Sequence, residues 1–535
     1  MPESKLDALI IADCGNISLS ESSALRLTID GTPATIQTVR NYLAHDGRIV
    51  PPIEGDERLS WSSAPKLNGI ALLSDLTRHG YRAVLVNDFA REQNLFQELM
   101  ASSPKAIIVS TTFLVGKKQL KTLVDTLRMI APGVPIIAGG PLVNLSFLIY
   151  QRRTEPDYIV LGMEQDFLFL NEEQPDIDLL VTDLRGQNAL HSALDRLRHG
   201  ESLTGIPGTA WLDKAGRYVF GPKRDEPQEQ TEDQIDWNTL PDKVFASGVV
   251  PLQASSGCPH RCAFCNFVKD RHLTYAKSIE QVVAEMAAVA KRGAKYVWFV
   301  DDIFRLGRHD LDKVCAAIIA SGIDIKWMTL IRADTVKNVD FDLLRQAGCV
   351  ELQFGLESAD PYVLAAMNKR ANPDDYRAAV WGAMRAGINV SAYFVIGHPG
   401  ETEESLERTI AFIKEIQYPD LPGSLTWSIY PFMLVPLSPI FEPAQRTRYG
   451  LEGYMGNWKH ATMDVKTAMQ GIKRAIMALE DSAPVYRTDN LDMLNELTYR
   501  QRRAFFSARL QLAKLAAAGR STPDIMLQTF TKTLI

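Results

Sequence analysis

From Val249 to Tyr430 the sequence alternates short runs of β-branched and aromatic residues with amphipathic stretches, and this alternation limits the fold more than any other feature. The runs Val249–Ala254, Tyr296–Val300, Ile325–Leu330, Glu351–Gly355, Asn389–Ile396 and Ser424–Tyr430 read as strands. Between them Ser278–Arg292, Asp310–Ser321, Phe341–Ala347, Asp374–Ala386 and Glu403–Ile416 read as helices. A strand followed each time by a helix must return parallel to its predecessor, so the series predicts a partial (β/α)6 barrel of the TIM type. Such barrels carry their chemistry at the carboxyl ends of the strands.

The first third of the chain alternates in the same way. Ala8–Ala12, Ala83–Val86, Ala106–Ser110, Pro135–Ala138 and Tyr158–Leu161 read as strands, with helices over Leu67–His79, Gln93–Ala101 and Lys117–Ile130. This predicts a doubly wound, Rossmann-like (flavodoxin-like) α/β sheet, whose ligands bind beyond the carboxyl ends of its strands. One rim is then expected to carry Ser110, Thr111, Thr112 and Phe113, the turn Gly139-Gly140-Pro141, and Gly162-Met163-Glu164. No G-x-G-x-x-G follows the first strand, which argues against a dinucleotide. From about Asn171 to Phe245 the pattern weakens; it holds one candidate hairpin, Thr209–Leu212 with Tyr218–Phe220, and the polar run Arg224–Asp236. The expected organisation is a Rossmann-like domain over 1–175, a connector over 176–245, the barrel over 246–440 and a small, mainly helical region over 441–535, with a long amphipathic helix at Thr498–Ala518.

Charge and hydropathy remove several functions. Lys+Arg 58 against Asp+Glu 64 gives a net charge of −6, so no global basic field is present to hold nucleic acid. The longest apolar candidate for a membrane span, Leu425 to Phe441, is broken by Pro431, Pro436 and Pro439. The opening MPESKLDALIIADCGN has no basic segment followed by a long apolar one, which makes the cytoplasm the expected compartment.

Six cysteines are too few for a disulfide scaffold, but three of them, Cys258, Cys262 and Cys265, fall within eight residues directly after the first barrel strand. The others, Cys14, Cys315 and Cys349, are isolated in apolar surroundings. Three thiolates on one short loop suit three irons of a [4Fe–4S] cluster, with the fourth iron open to a ligand from outside the protein. Zinc is the competing reading, with His260 or His272 completing the set; a plain group of buried thiols is the third.

The motif Cys258-x3-Cys262-x-Phe264-Cys265 after a first barrel strand resembles the radical S-adenosylmethionine (SAM) superfamily. The resemblance implies that the three cysteines ligate iron, that SAM chelates the open iron and is cleaved to a 5′-deoxyadenosyl radical, and that the backbone of Phe264 lies near the adenine. It places Asp301 and Asp302 where the family binds the methionyl amine, although the usual Gly-Gly-Glu is absent. Glu357, followed by Ser358, takes the position of the ribose-contacting acid, Ile396 in Val395–Glu401 that of the adenine support, and Arg332 is a candidate for the SAM carboxylate. An electron donor such as flavodoxin or ferredoxin is implied as a partner. The order of domains further resembles the cobalamin-dependent branch, through Leu67–Asp88, Ser110–Phe113, Ala138–Pro141, Val160–Glu164 and Pro207-Gly208. No Asp-x-His-x-x-Gly is present, so the resemblance implies cobalamin bound with its own base displaced and no histidine on cobalt. Ser110, Thr111, Thr112, Phe113 and Glu164 are then its expected contacts, and Gly139, Gly140 and Gly162 allow close backbone approach.

The two cofactors together imply a C-methyltransferase acting on an unactivated carbon of a small molecule or peptide. A radical cyclase or ring-rearranging enzyme is the alternative, and a non-catalytic metal-binding protein a third. Tyr430, Trp458 and His460 are candidate substrate contacts, with core packing as their ordinary role. Arg446, Arg448 and Lys459 suit either an anionic substrate or a solvated face.

Overall fold

The structure is a computed structural model that describes residues 6–15, 27–29, 32–34, 59, 63–222, 234–266, 274–307, 310–336, 339–417, 420–485, 491 and 498–519. It comprises two compact units, one of Met1–Ser18 with Pro65–Val244 and one of Leu19–Ala64 with Phe245–Ile535.

The first unit is built on a seven-stranded sheet in the order Ala83–Val86, Ala8–Ile11, Ala106–Ser110, Ile136–Gly139, Leu179–Val181, Thr209–Leu212, Tyr218–Phe220. The first five are parallel and the last two antiparallel. Ala8–Ile11 and Ala106–Ser110 are buried along their whole length, which explains their unbroken apolar sequences. Helix Leu67–Arg78 lies close on this sheet because Gly69 has no side chain: a Cβ there would stand 2.6 Å from the Ala12 Cβ and 2.7 Å from a Leu85 methyl.

Two expectations change here. Tyr158–Leu161 forms no strand. Asp157 has a positive φ of 57° and Gly162 is left-handed, so the chain turns at both ends of this segment. Tyr158 is buried under the Arg152 guanidinium, whereas Leu161 is 93% exposed. The fifth strand is instead Leu179–Val181, paired with Ile137–Gly139. Residues 179–220, expected as connector, therefore contribute three strands and helix Gln187–His199 to this sheet. A strand of only three residues leaves too short a pattern to read. Of the polar run Arg224–Asp236, residues 224–233 lie outside the described residues.

In the second unit the strands lie side by side in chain order: Val249–Leu252, Tyr296–Phe299, Lys326–Ile331, Cys349–Glu357, Asn389–Ile396, Leu425–Pro431 and the short Ala483–Pro484. All pairs are parallel. Helices Ile279–Lys291, Leu311–Ser321, Phe341–Gln346, Pro373–Arg385 and Glu403–Ile416 separate the first six strands, as the alternation predicts. Their starts are set locally. Ser278 with Gln281, and Thr402 with Ser405, form capping boxes, and Asp340 and Asn372 accept from backbone amides of the first turn. The region after 441 is not only helical. A three-stranded antiparallel sheet, Glu452–Tyr454, Asn457–His460 and Met463–Asp464, precedes helices Val465–Ala478 and Tyr499–Ala517. Among the described residues no helix is long and apolar enough to cross a membrane.

Candidate active site

The cysteine loop leaves the first barrel strand and is pinned at its middle. The Ala263 amide donates to the Met367 carbonyl (2.8 Å), and the Ala263 carbonyl accepts from the Ile440 amide (2.9 Å). Asn368 Nδ2 donates to the Arg261 carbonyl (2.6 Å). Both peptide groups between Cys262 and Phe264 are thus committed, and Cys258, Cys262 and Cys265 all stay partly exposed and free of disulfides. Burial raises the thiol pKa values of Cys258 and Cys262; Lys369 and Arg332 act against this at Cys262. Among the described residues, Asp75, His79 and His191 are the one group whose candidate ligand atoms all lie within 4.8 Å of one another. Three free thiols on one short loop suit three irons of a multi-iron cluster. His272 lies outside the described residues.

The ends of the next strands surround this loop. Asp301 is buried under it: one carboxylate oxygen accepts from the Ala254 amide (2.8 Å), the other from Ser255 Oγ (2.5 Å) and the Arg305 amide (3.3 Å). Burial pushes its pKa up to about 7 despite these donors. Asp301 thus fastens the strand that launches the loop, and its oxygens are engaged by protein groups. Asp302 accepts from the Gly257 amide (2.8 Å), next to Cys258. Arg332 is paired in bidentate fashion with Asp334 at 2.9 and 2.8 Å and reaches the Cys262 thiol.

Glu357 ends the fourth strand at a register shift and has φ 65°, a backbone state that costs a non-glycine residue about 1–3 kcal/mol. The buried Lys369 holds it there, donating to Glu357 Oε1 (2.8 Å) and to the Gly355 carbonyl. Ser358, in contrast, is fully buried and turned toward Thr409 Oγ1 (3.2 Å). The segment Met367-Asn368-Lys369 therefore both clasps the cysteine loop and sets Glu357. No motif signalled it, because its partners are distant in sequence.

Tyr376 was also not signalled. It is fully buried, its hydroxyl has no protein partner, and its titration responds to Glu357, Arg332, Asp334 and Cys262. Burial, followed by Glu357, raises its pKa and keeps the phenol a donor. Tyr376→Phe should raise the SAM KM about 3–10-fold, the worth of one hydrogen bond, with little change in folding stability. Initial rates of 5′-deoxyadenosine formation over a SAM series measure this; an unchanged KM would remove Tyr376 from the site.

The fifth strand ends in Ile396, which is fully buried, and the turn Gly397-His398-Pro399-Gly400. Phe264 meets His398 edge-on at 6.4 Å between ring centres. Trp458 and His460 do not open toward a substrate: both are buried, stacked at 5.3 Å, and packed beneath Gly397. Trp458 donates to the Phe432 carbonyl (2.7 Å), and His460 Nε2 lies 3.1 Å from the Gly397 carbonyl. Packing prevails because a strand register places both rings on the covered face. Tyr430 remains partly exposed on the sixth strand. Arg446 and Arg448 lie over the rings of Phe441 and Tyr449, and Lys459 pairs with Glu452.

In the first unit, helix Leu67–Arg78 brings Asn68 to the carboxyl rim, where Nδ2 donates to Ser110 Oγ (2.7 Å) and the Ala12 carbonyl (3.0 Å). Asn68 Oδ1 is buried without a protein partner. Ser110 Oγ lies 3.0 Å from Thr112 Oγ1, and Thr111 Oγ1 donates to the Gly139 carbonyl. Gly140 has φ 107°, and a Cβ there would come within 3.2 Å of Thr111 Oγ1. Phe113 is 44% exposed. Glu164 folds back onto the Gly162 amide (2.9 Å), closing its own turn.

A parallel β/α sheet with three loop cysteines at its first strand defines a radical SAM domain, and residues 252–413 match the family model described as the radical SAM superfamily. Residues 252–413 thus form a radical SAM domain, and a [4Fe–4S] cluster and SAM are the cofactors of that class. The chain is 27% identical to an uncharacterized methyltransferase of Pyrococcus horikoshii, over 71% of this chain and 81% of the relative. It is also 27% identical to the anaerobic magnesium-protoporphyrin IX monomethyl ester cyclase of Cereibacter sphaeroides, over 56% of this chain and 54% of the relative. The fold is similar to that of the cobalamin-dependent S-adenosylmethionine radical enzyme OxsB solved with aqua-cobalamin bound, at TM-score 0.59 and 14% identity, covering 98% of this chain and 75% of that one.

Proposed function

We propose that this chain is a cobalamin-dependent radical SAM C-methyltransferase acting on an unactivated carbon of a small-molecule or peptide intermediate. The observation that carries the cobalamin part is the carboxyl rim of the first sheet. There a buried, unpartnered Asn68 oxygen, the Ser110 and Thr112 hydroxyls and the bare Gly139-Gly140 turn meet an exposed aromatic ring. This is an amphipathic cradle suited to a large cofactor with an amide-rich edge. The described histidines of this unit are engaged elsewhere: His79 and His191 at Asp75 in the last turn of helix Leu67–Arg78, and His199 at the Asp195 carbonyl. When bound, the cluster with SAM supplies a 5′-deoxyadenosyl radical and cobalamin a transferable methyl group.

The protein's own groups then bind and orient. Arg332, held flat by Asp334, presents a guanidinium to a carboxylate, and Glu357, fixed by Lys369, accepts from a ribose. Tyr376 donates its hydroxyl, and Tyr430 is the remaining aromatic candidate for substrate. The electron comes from a flavodoxin or ferredoxin, and the cytoplasm is the proposed location. Methylation is favoured by the Pyrococcus relative's name; the cyclase relative supports the second reading, a cyclisation that consumes SAM only as radical source.

Anaerobic reconstitution with iron, sulfide and hydroxocobalamin separates these readings. Methylation yields both 5′-deoxyadenosine and S-adenosylhomocysteine with a suitable substrate, and 5′-deoxyadenosine alone favours cyclisation. The reduced cob(II)alamin form should show no nitrogen splitting in its EPR spectrum, and Asn68→Ala should weaken cobalamin binding about 3–10-fold. A histidine-type splitting, or unchanged binding by the variant, would defeat this description of the cradle.

A further inference from the structure

We propose that Asp75, His79 and His191 form a zinc site that ties helix Leu67–Arg78 to helix Gln187–His199, apart from both cofactor sites. One candidate ligand atom from each residue lies within 4.8 Å of the other two. His191 Nε2 is 2.7 Å from Asp75 Oδ2, and His79 Nδ1 is 3.3 Å from Asp75 Oδ1. The two imidazole rings lie 4.3 Å apart. Two imidazole nitrogens and one carboxylate oxygen form a donor set for zinc with a fourth position left for water; magnesium and calcium prefer all-oxygen sets.

The surroundings prepare these groups. Burial acts to raise the Asp75 pKa, but the hydrogen bond and charge of His191, with His79 and Arg78 behind it, outweigh that, and the carboxyl lies below its ordinary range. His191 is oriented by the Tyr81 ring, stacked at 5.5 Å, whose hydroxyl donates to Asp195 Oδ1 (2.9 Å) and which lies 4.3 Å from the Arg198 guanidinium. Exposure grades across the site, with side-chain values of 5% for Asp75, 15% for His191 and 45% for His79, which leaves an entry path on the His79 side. The neighbouring cation is Arg78, 3.4 Å from Asp75 Oδ1 and held by the Gln234 carbonyl, and His79 Nδ1 also lies 2.9 Å from the Asp75 carbonyl. On zinc entry the metal replaces the hydrogen bonds between the imidazoles and the carboxylate, and each neutral imidazole keeps its one proton on the ring nitrogen that does not bind zinc.

The test uses the cluster-reconstituted holoenzyme, whose cysteines are already occupied, dialysed against micromolar Zn2+ and analysed for bound metal and by zinc K-edge X-ray absorption. One zinc per chain with imidazole and oxygen neighbours is expected. His79→Gln and His191→Gln should each weaken uptake at least about tenfold, because glutamine keeps a donor beside Asp75 but supplies no imidazole nitrogen. His79 is exposed, so its variant should keep the parent's unfolding temperature without zinc. A sulfur shell around the metal, no stoichiometric uptake, or uptake by either variant equal to the parent's would overturn the site.

Discussion

Replacing Cys262 by alanine will abolish reductive cleavage of SAM. The residue lies between Cys258 and Cys265 in a loop whose central peptide groups are bound on both sides by the Met367 carbonyl and the Ile440 amide, so the loop cannot shift to offer another ligand. Loss of an outer-shell partner already costs about 10–100-fold, and loss of a ligand itself should lower 5′-deoxyadenosine formation by more than about 100-fold. Quantified 5′-deoxyadenosine, iron content and the EPR signal of the reduced cluster should fall together. Cys315→Ala and Cys349→Ala are the controls: both thiols are fully buried in the barrel core and should leave cleavage intact at some cost in stability. Cleavage retained by the Cys262 variant would end the cluster assignment.

Glu401→Gln will remove much of the barrel's loss of stability at alkaline pH. Glu401 is fully buried; one oxygen accepts from the Gly397 amide and the other has no protein partner. Burial pushes its pKa up from an ordinary 4.5 to about 8. Between those values the folded chain keeps a proton that the unfolded chain has lost, so stability is highest at the acid end and declines as pH rises toward 8. Each unit of pH in that window costs at most about 1.4 kcal/mol from this group. Asp301, raised to about 7, adds a similar decline that ends lower. Glutamine keeps an acceptor for Gly397 without a proton to lose, so the variant should match the parent near pH 5 and exceed it by ~3 kcal/mol at pH 8.5. Anaerobic denaturant unfolding across this range measures the difference; identical pH profiles would mean that Glu401 is ionised in the fold.

What could be read ahead of the structure followed from local physics. A strand must alternate with its crossover helix within one stretch of chain, so the barrel strands from Val249 to Tyr430 appear near their predicted positions. Ligands to one cluster sit within eight residues because a single loop must reach it. Capping boxes at Ser278 and Thr402 are likewise confined to four residues.

What escaped depends on contacts between distant segments. Leu179–Val181 is a strand because Ile137–Gly139 offers it an open edge, whereas the equally strand-like Tyr158–Leu161 is turned aside at Asp157 and Gly162. Trp458 and His460 looked like substrate contacts, and only the packing beneath Gly397 assigns them to the core. Lys369 and Tyr376 have no motif, yet they face Glu357, Arg332 and Cys262 across the barrel mouth. The sequence by itself determined the class of chemistry, through thiols and strand periods set within a few residues. The tertiary structure alone decided which buried charges and hydroxyls converge on that chemistry, because burial and pairing are properties of the packed chain.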